Sequence, residues 1–392
     1  MLNTKVNPWP SFTIEESNKI KKILLSNKVN YWTGNECRQF ELEFAKFADA
    51  KFAISLANGT LALDLALKAL SIEKGDEVLV TPRSYIASAS SIVNCGAKPV
   101  FIDVCRDSQN INLENIEKFI NKKTKAIICV HLAGWPCDMK KIKKIAKKFN
   151  LFVIEDCAQA HGAKWHGKSV GSYGDIGCWS FCQDKIITTG GEGGMITTNS
   201  QKLWKKMWEF KDHGKSYDAI YKKKHPTGFR WLHNSFGTNW RMNEIQAGIG
   251  RIQLKKMKRW TNLRNKNANL ILRSCKKFKL FRVPEFPDKN HTHAYYKCYV
   301  FVNTELLRKD WNRDKIMDKI NSLGIPCTVG SCPEIYLEKA FIDKKLMPKK
   351  RLSVAKELGE TSLCFLVHPT LSSKNLDKTI TIISKVAEMA SK

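Results

Sequence analysis

Two runs, Ala126-Ile127-Ile128-Cys129-Val130 and Leu151-Phe152-Val153-Ile154-Glu155, are almost continuously apolar over the length of a strand. A strand with one wet face alternates between apolar and polar residues. A strand without that alternation is buried on both faces, as in a mostly parallel sheet covered by helices. The flanking sequence supplies the rest of such a sheet. Lys51–Leu56 reads as a strand, Leu61–Leu70 as an apolar helix, Glu77–Pro82 as a strand, Ile86–Asn94 as a helix and Pro99–Val104 as a strand. Cys178–Phe181 and Met195–Thr198 read as two strands joined by a glycine-rich loop. A long basic helix, Asn243 to about Arg273, leads into shorter strands and helices. The expected fold is α/β: a large domain over 1–252 with a mostly parallel mixed sheet flanked by helices, and a smaller C-terminal α/β domain over 253–392.

Composition narrows the function classes. The 392 residues are 43% hydrophobic, enough for a substantial core, and carry a net charge of +29. Lysines cluster at Lys140–Lys144, Lys222–Lys224 and Lys344–Arg351. Such clusters make either a nucleic-acid surface or solvated helix faces. Their dispersal, without interleaved aromatics, favours solvated faces, so no nucleic-acid partner is expected. The 13 cysteines include no Cys-x-x-Cys pair, which leaves zinc and disulfide frameworks unsupported and no metal site expected. No run of about 18 apolar residues predicts a membrane span, and Met1–Pro8 lacks the apolar core of a signal peptide. The expectation is a cytoplasmic protein with reduced thiols.

In open α/β sheets ligands bind at the carboxyl ends of the strands. Four segments fall there: Asn58-Gly59-Thr60, Thr81 to Tyr85, Asp156, and Ser180 to Lys185. Asp156 closes an apolar strand, where an unpaired carboxylate is costly; a protonated ring nitrogen, a helix cap or a structural ion pair would each compensate it. Asn58-Gly59-Thr60 opens a helix, as either an ordinary cap or a phosphate site. Lys185 follows an apolar strand and precedes Gly190-Gly191-Glu192-Gly193-Gly194, a loop whose backbone can approach a ligand closely or simply turn.

Taken in order along the chain, these segments resemble the DegT/DnrJ/StrS-type sugar aminotransferases, pyridoxal-phosphate (PLP) enzymes of the type I aspartate-aminotransferase fold. The resemblance runs through Tyr31-Trp32-Thr33-Gly34, Asn58-Gly59-Thr60, Thr81-Pro82 with Tyr85, and Gly96-Ala97 with Pro99-Val100-Phe101. It continues through Glu155-Asp156-Cys157-Ala158-Gln159-Ala160-His161-Gly162, the Lys185 segment, and Gly237-Thr238-Asn239-Trp240-Arg241-Met242. It implies that Lys185 is the lysine bonded to PLP and the proton shuttle, and that Asp156 is the partner of the ring nitrogen. Gln159 would touch the ring and Tyr85 would stack on it. Gly59, Thr60 and Ser180 would hold the phosphate, and Asn239 would reach it from the second subunit of a homodimer with shared active sites. His161 and Glu192 would line the substrate pocket, and His291, His293 and Tyr295-Tyr296 match a stretch of the small domain. The implied substrates are glutamate and a nucleotide-linked keto-sugar, a 4-keto-6-deoxyhexose in amino-sugar or surface-polysaccharide synthesis.

Gly330–Lys339 departs from the family, where many relatives carry a histidine, in a region that bears on sugar specificity. Sugar dehydratases of this type replace the lysine by histidine, which Lys185 argues against. An amino-acid aminotransferase would want an arginine clamp, which cannot be assigned from the sequence. The alternative from another class is a non-catalytic regulatory or nucleic-acid-binding protein retaining the fold, supported by the charge alone.

Overall fold

The computed structural model describes residues 6–286 and 290–392; Met1–Lys5, the first part of the polar N-terminal stretch, lie outside it. Helices α1 (Ile14–Leu25) and α2 (Glu36–Phe47) precede the sheet. Seven strands follow in the order β1-β9-β8-β5-β4-β2-β3: β1 (Phe52–Leu56), β2 (Glu77–Val80), β3 (Lys98–Phe101), β4 (Thr124–Val130), β5 (Phe152–Asp156), β8 (Ile176–Ser180) and β9 (Gly194–Thr198). A small hairpin, β6 (Lys164–Trp165) and β7 (Lys168–Ser169), stands apart from them. Pairings from β3 through β2, β4 and β5 to β8 are parallel, and β9 runs antiparallel to both β8 and β1. The mixed, mostly parallel sheet expected from the apolar runs is therefore present.

The lack of alternation has a direct cause. Val78, Val80, Ile128 and Ile154 pack in a core on one face, with α3 (Gly59–Ala69) and α4 (Ala87–Asn94). Their neighbours Leu79, Ile127, Cys129 and Val153 pack on the other face, against α5 (Met139–Phe149). Each such side chain, fully buried, contributes roughly 1.5–3 kcal/mol. Helix α5 buries Met139, Ile142, Ile145 and Ala146, and its lysines point to water. That lysine cluster is the solvated face of an amphipathic helix. All 13 cysteines are free thiols, most of them buried.

The strand expected to reach Val104 ends at Phe101. Asp103 leaves the sheet because its carboxylate accepts the Val354 and Ala355 amides, 3.0 and 2.9 Å away. Those amides open a C-terminal helix, so a cap competes successfully with the sheet ladder.

Helices α6 (Gln201–Lys211) and α7 (Tyr217–Tyr221) precede α8 (Glu244–Cys275), which begins at a capping box formed by Asn243 and Gln246. The division expected at 252/253 falls inside α8. The first half of α8 joins the core of α2, β8 and the Lys185 segment through Ala247, Met257 and Trp260. Its end joins a separate C-terminal core through Ala268, Ile271 and Cys275. That core surrounds a second sheet ordered β10-β11-β13-β12, made of β10 (Phe281–Arg282), β11 (Cys298–Val302), β12 (Cys327–Thr328) and β13 (Ser362–Phe365). It is packed with α9 (Arg313–Ser322) and α12 (Ser373–Ala390); α10 (Lys339–Asp343) and α11 (Ser353–Thr361) lie between them in sequence. Among the described residues no helix is long and apolar enough to cross a membrane.

Candidate active site

The carboxyl ends of β1, β2, β5 and β8 open into one cavity of about 500 Å³. Gly59, Thr60, Tyr85, Asp156, Gln159, Ser180, Lys185 and Glu192 all line it. Residues as far apart in sequence as Gly59 and Glu192 thus converge because a parallel sheet sends successive strand ends to the same edge.

Asp156 is buried at the floor. Its carboxylate accepts the Ser88 hydroxyl at 2.7 Å and the Ala158 amide at 3.1 Å. Burial nonetheless pushes its pKa upward, because these bonds and the more distant His131 and Lys185 do not fully compensate the charge. Such a carboxylate gains by meeting a cation at the cavity. Ser88, from α4, was not singled out in the sequence; the serine-rich stretch Ser84–Ser91 was its only signal.

The backbone of Asp156 is held by the residue before it. Glu155, fully buried, accepts amides from Gly171 (2.7 Å), Tyr173 (2.8 Å) and Gly174 (2.6 Å), and lies 3.0 Å from His131 Nε2. Burial opposes its ionisation, but the His131 contact and the amides outweigh it and hold its pKa low. The carboxylate also pulls the His131 pKa up, against burial. However, His131 Nδ1 accepts the Cys137 amide at 2.9 Å. A ring that accepts there carries its proton on Nε2, so the geometry assigns a neutral imidazole donating to Glu155. The buried His131, Glu155 and Cys157 lie close enough to hold an ion, but their polar atoms are taken up by these bonds and by Cys157 Sγ to the Glu155 carbonyl.

Lys185 is mostly buried, and its Nζ lies 3.2 Å from Asp184 Oδ1 and 3.3 Å from the Tyr296 hydroxyl. The Tyr296 hydroxyl also donates to Asp184 Oδ2. Burial would raise the Asp184 pKa, yet Lys185 and Tyr296 outweigh it and keep the carboxylate ionised. Burial and that carboxylate push the Tyr296 phenol well above its usual range, so it stays a donor. Asp184 carries no functional signal in the sequence, and Tyr296 stands out there only as part of a small-domain stretch; contact across 111 positions leaves no local pattern.

The α3 N-terminus faces the cavity. Asn58 caps the Leu61 amide at 3.0 Å, which leaves the first-turn amides of Gly59 and Thr60 without helical acceptors. A Cβ on Gly59 would lie 2.5 Å from Ser180 Cβ, so only glycine lets the helix start reach the Ser180 hydroxyl. Gln159 Oε1 accepts the Ala133 amide at 2.9 Å, which fixes the side chain by its carbonyl end and frees its NH₂. Tyr85 stands at the rim, 69% exposed.

Two expected residues lie elsewhere. His161 does not line the cavity: it is fully buried between Trp179 and Phe181, ring centroids 5.3 and 5.7 Å away. Burial and the nearby cations Lys185 and Arg264 lower its pKa to about 3, so it is a neutral core residue. Asn239 is exposed on the segment whose Trp240 carbonyl accepts the Ala57 amide, behind the α3 start and outside the cavity. A larger cavity of about 1020 Å³ lies near it, between α3, α6 and the Ser235–Trp240 segment, and contains none of the converging residues.

The cavity fits pyridoxal phosphate on its own chemistry. It offers an under-compensated carboxylate for a pyridinium nitrogen, free amides and a hydroxyl for a phosphate, and a lysine amine, all lining one cavity.

The profile of the DegT/DnrJ/EryC1/StrS aminotransferase family matches residues 10–384. The solved structure of an aminotransferase from Psychrobacter cryohalolentis superposes with a TM-score of 0.95 at 59% identity, covering 97% of this chain and 98% of that one. The GDP-perosamine synthase of Escherichia coli O157:H7 is 36% identical over 94% of each chain. A UDP-N-acetyl-3-dehydro-alpha-D-glucosamine 3-aminotransferase from Acidithiobacillus ferrooxidans is 33% identical, covering 93% of this chain and 92% of its own.

Proposed function

Because the chain belongs to the DegT/DnrJ/EryC1/StrS aminotransferase family, whose cofactor is pyridoxal phosphate, we propose that it transfers an amino group from glutamate to a nucleotide-linked keto-sugar at Lys185. The observation that carries this reading is the convergence of Lys185, Asp156 and the α3 N-terminus on one cavity. When bound there, pyridoxal phosphate supplies an aldehyde carbon that takes up the amino group and a ring that draws electrons from the substrate carbon.

The protein's own groups divide the remaining work. Asp156 keeps a proton on the pyridine nitrogen, and Ser88 orients its carboxylate. Gly59, Thr60 and Ser180 would hold the phosphate, Tyr85 would stack on the ring, and the Gln159 NH₂ would contact the ring or its phenolic edge. Lys185 Nζ, once free, carries the proton to and from the substrate carbon. Asp184 and Tyr296 give that amine a defined place to return to. Glu192 lies toward the substrate end.

The relatives' names, a GDP-perosamine synthase and a UDP-sugar 3-aminotransferase, support a nucleotide-linked sugar, and a 4-keto-6-deoxyhexose is the proposed acceptor. A role of the Gly330–Lys339 segment in tuning it is supported by its backbone contacts beside Tyr85: Cys332 pairs with Ser84 in an isolated antiparallel β-bridge, and the Ile335 amide donates to the Pro82 carbonyl at 2.8 Å. A homodimer with shared sites is supported by Phe229, Trp231 and Phe236, which are 77%, 85% and 99% exposed on the loop leading to Asn239. In that assembly Asn239 would reach the partner's phosphate. The two cores support a large and a small unit that part within α8, beyond Trp260 rather than at 252/253, with Ile335, Tyr336 and Phe341 returning to the core of the large unit. A cytoplasmic setting suits the free thiols.

The test is the visible spectrum of the purified protein with added pyridoxal phosphate, compared with Lys185→Ala and then with glutamate added to the wild type. A band lost in the variant and bleached by glutamate is expected. No band in the wild type would move the regulatory or nucleic-acid-binding reading to the front.

A further inference from the structure

The geometry points to Trp9 as a positioning residue for Lys185, set on an N-terminal strap that ties the lysine's backbone to the C-terminal unit. This rests on Lys185 being the residue that bonds the cofactor. The indole Nε1–H of Trp9 donates to the carbonyl oxygen of Lys185 itself, at 2.9 Å across 176 positions. The Lys185 amide donates to Cys182 at 3.1 Å, so the lysine's backbone is pinned on both sides. Of these two backbone contacts, the one from Trp9 comes from outside the loop.

The ring of Trp9 is clamped on several sides. Trp260 of α8 meets it edge-on at 5.0 Å, and His368 of the C-terminal unit stacks at 5.9 Å. The Arg264 guanidinium lies over it, 4.9 Å from the ring centroid. Arg264 is buried, and among the described residues its Nη1 donates to the Tyr295 carbonyl at 3.2 Å while Nε and Nη2 find no acceptor. The face of the indole is thus a main compensation for a buried cation. The same pair bears on Lys185 by two routes: Trp9 holds its backbone carbonyl, and Arg264 holds the peptide next to Tyr296, whose hydroxyl lies 3.3 Å from Lys185 Nζ.

The strap is anchored at its other end. Asn7 Nδ2 donates to the Thr370 carbonyl at 2.6 Å, and Thr370 Oγ1 donates to the Pro8 carbonyl at 2.9 Å. His368 Nδ1 is 2.8 Å from the same hydroxyl. Residues 7–9 therefore link the 368–370 segment to the carbonyl of the catalytic lysine, and a shift of the C-terminal unit is felt at Lys185.

Trp9→Phe keeps an aromatic face for Arg264 but removes the donor. In the cofactor-free protein, hydrogen exchange of peptides covering 182–191 is expected to quicken by about five- to tenfold, the value of one hydrogen bond, with the β4 and β5 peptides unchanged. Binding of pyridoxal phosphate, read from its absorption, is expected to weaken by a similar factor. Thr370→Val, which cuts the anchor without touching the loop, should move both readings the same way by less. Exchange in 182–191 equal to wild type, or quickened equally over the whole chain, would overturn the proposal. A wild type that binds no pyridoxal phosphate would sink the reading of the site, while the exchange comparison would still decide the role of Trp9.

Discussion

Glu155→Gln changes one atom and should cost far more than its size implies. The two carboxylate oxygens each receive two donors: Oε1 takes the Tyr173 and Gly174 amides, and Oε2 takes the Gly171 amide and His131 Nε2. Whichever way a glutamine amide is turned, its NH₂ faces two N–H groups in a fully buried site. His131 cannot relieve this by moving its proton to Nδ1, because Nδ1 accepts the Cys137 amide. Two buried donors are left unmade at about 1–3 kcal/mol each, so the loss of stability is about 3–5 kcal/mol. Urea unfolding of the two proteins at pH 7 measures it. The sign of the pH dependence follows from the low folded pKa of Glu155. Its contribution is complete above about pH 4.5 and is lost as pH falls through the folded value, so the wild-type advantage over Glu155→Gln should shrink in acid. A difference below about 1 kcal/mol at pH 7, or one that grows in acid, would refute the reasoning.

Three further outcomes follow from the same geometry. Asp156→Asn should leave the cofactor-free protein as stable as wild type or more so, since the Ser88 hydroxyl can accept from the new amide and a buried charge is removed, whereas transamination should fall on the order of 10²-fold or more; thermal melts and single-turnover rates separate the two effects. Gly59→Ala forces a Cβ to within 2.5 Å of Ser180 Cβ, so roughly 1–3 kcal/mol of stability and at least about tenfold in pyridoxal-phosphate affinity should be lost, measured by unfolding and by absorption titration. Replacing both Phe229 and Trp231 by Ser should yield monomers in sedimentation velocity and lower activity in proportion, while melting stays close to wild type.

Much of this site is legible in the sequence, for a physical reason. A parallel sheet sends every strand end to one edge, so Gly59, Tyr85, Asp156, Ser180 and Lys185 had to converge once the apolar runs were read as doubly buried strands. What stayed hidden depends on contacts with no local signature. Ser88 is one serine among several, and Asp184 matters because Tyr296 arrives from 112 positions away. Trp9 looks like part of a polar leader until its indole meets the Lys185 carbonyl. His161 shows the converse: a histidine beside Asp156 in sequence points into the aromatic core, because Trp179 and Phe181 of the adjoining β8 segment enclose it. The boundary at 252/253 crosses an unbroken helix because one amphipathic pattern serves two cores in turn.

Which lysine among many bonds the cofactor decides the chemistry of this site. The protein, loaded with pyridoxal phosphate, should be reduced with borohydride, digested and mapped by mass spectrometry. One phosphopyridoxyl group per chain, on the peptide carrying Lys185, is the predicted result, with none on that peptide in Lys185→Ala. Label scattered over the exposed lysines of α5 and Lys222–Lys224, or labelling unchanged in the variant, would contradict the central claim.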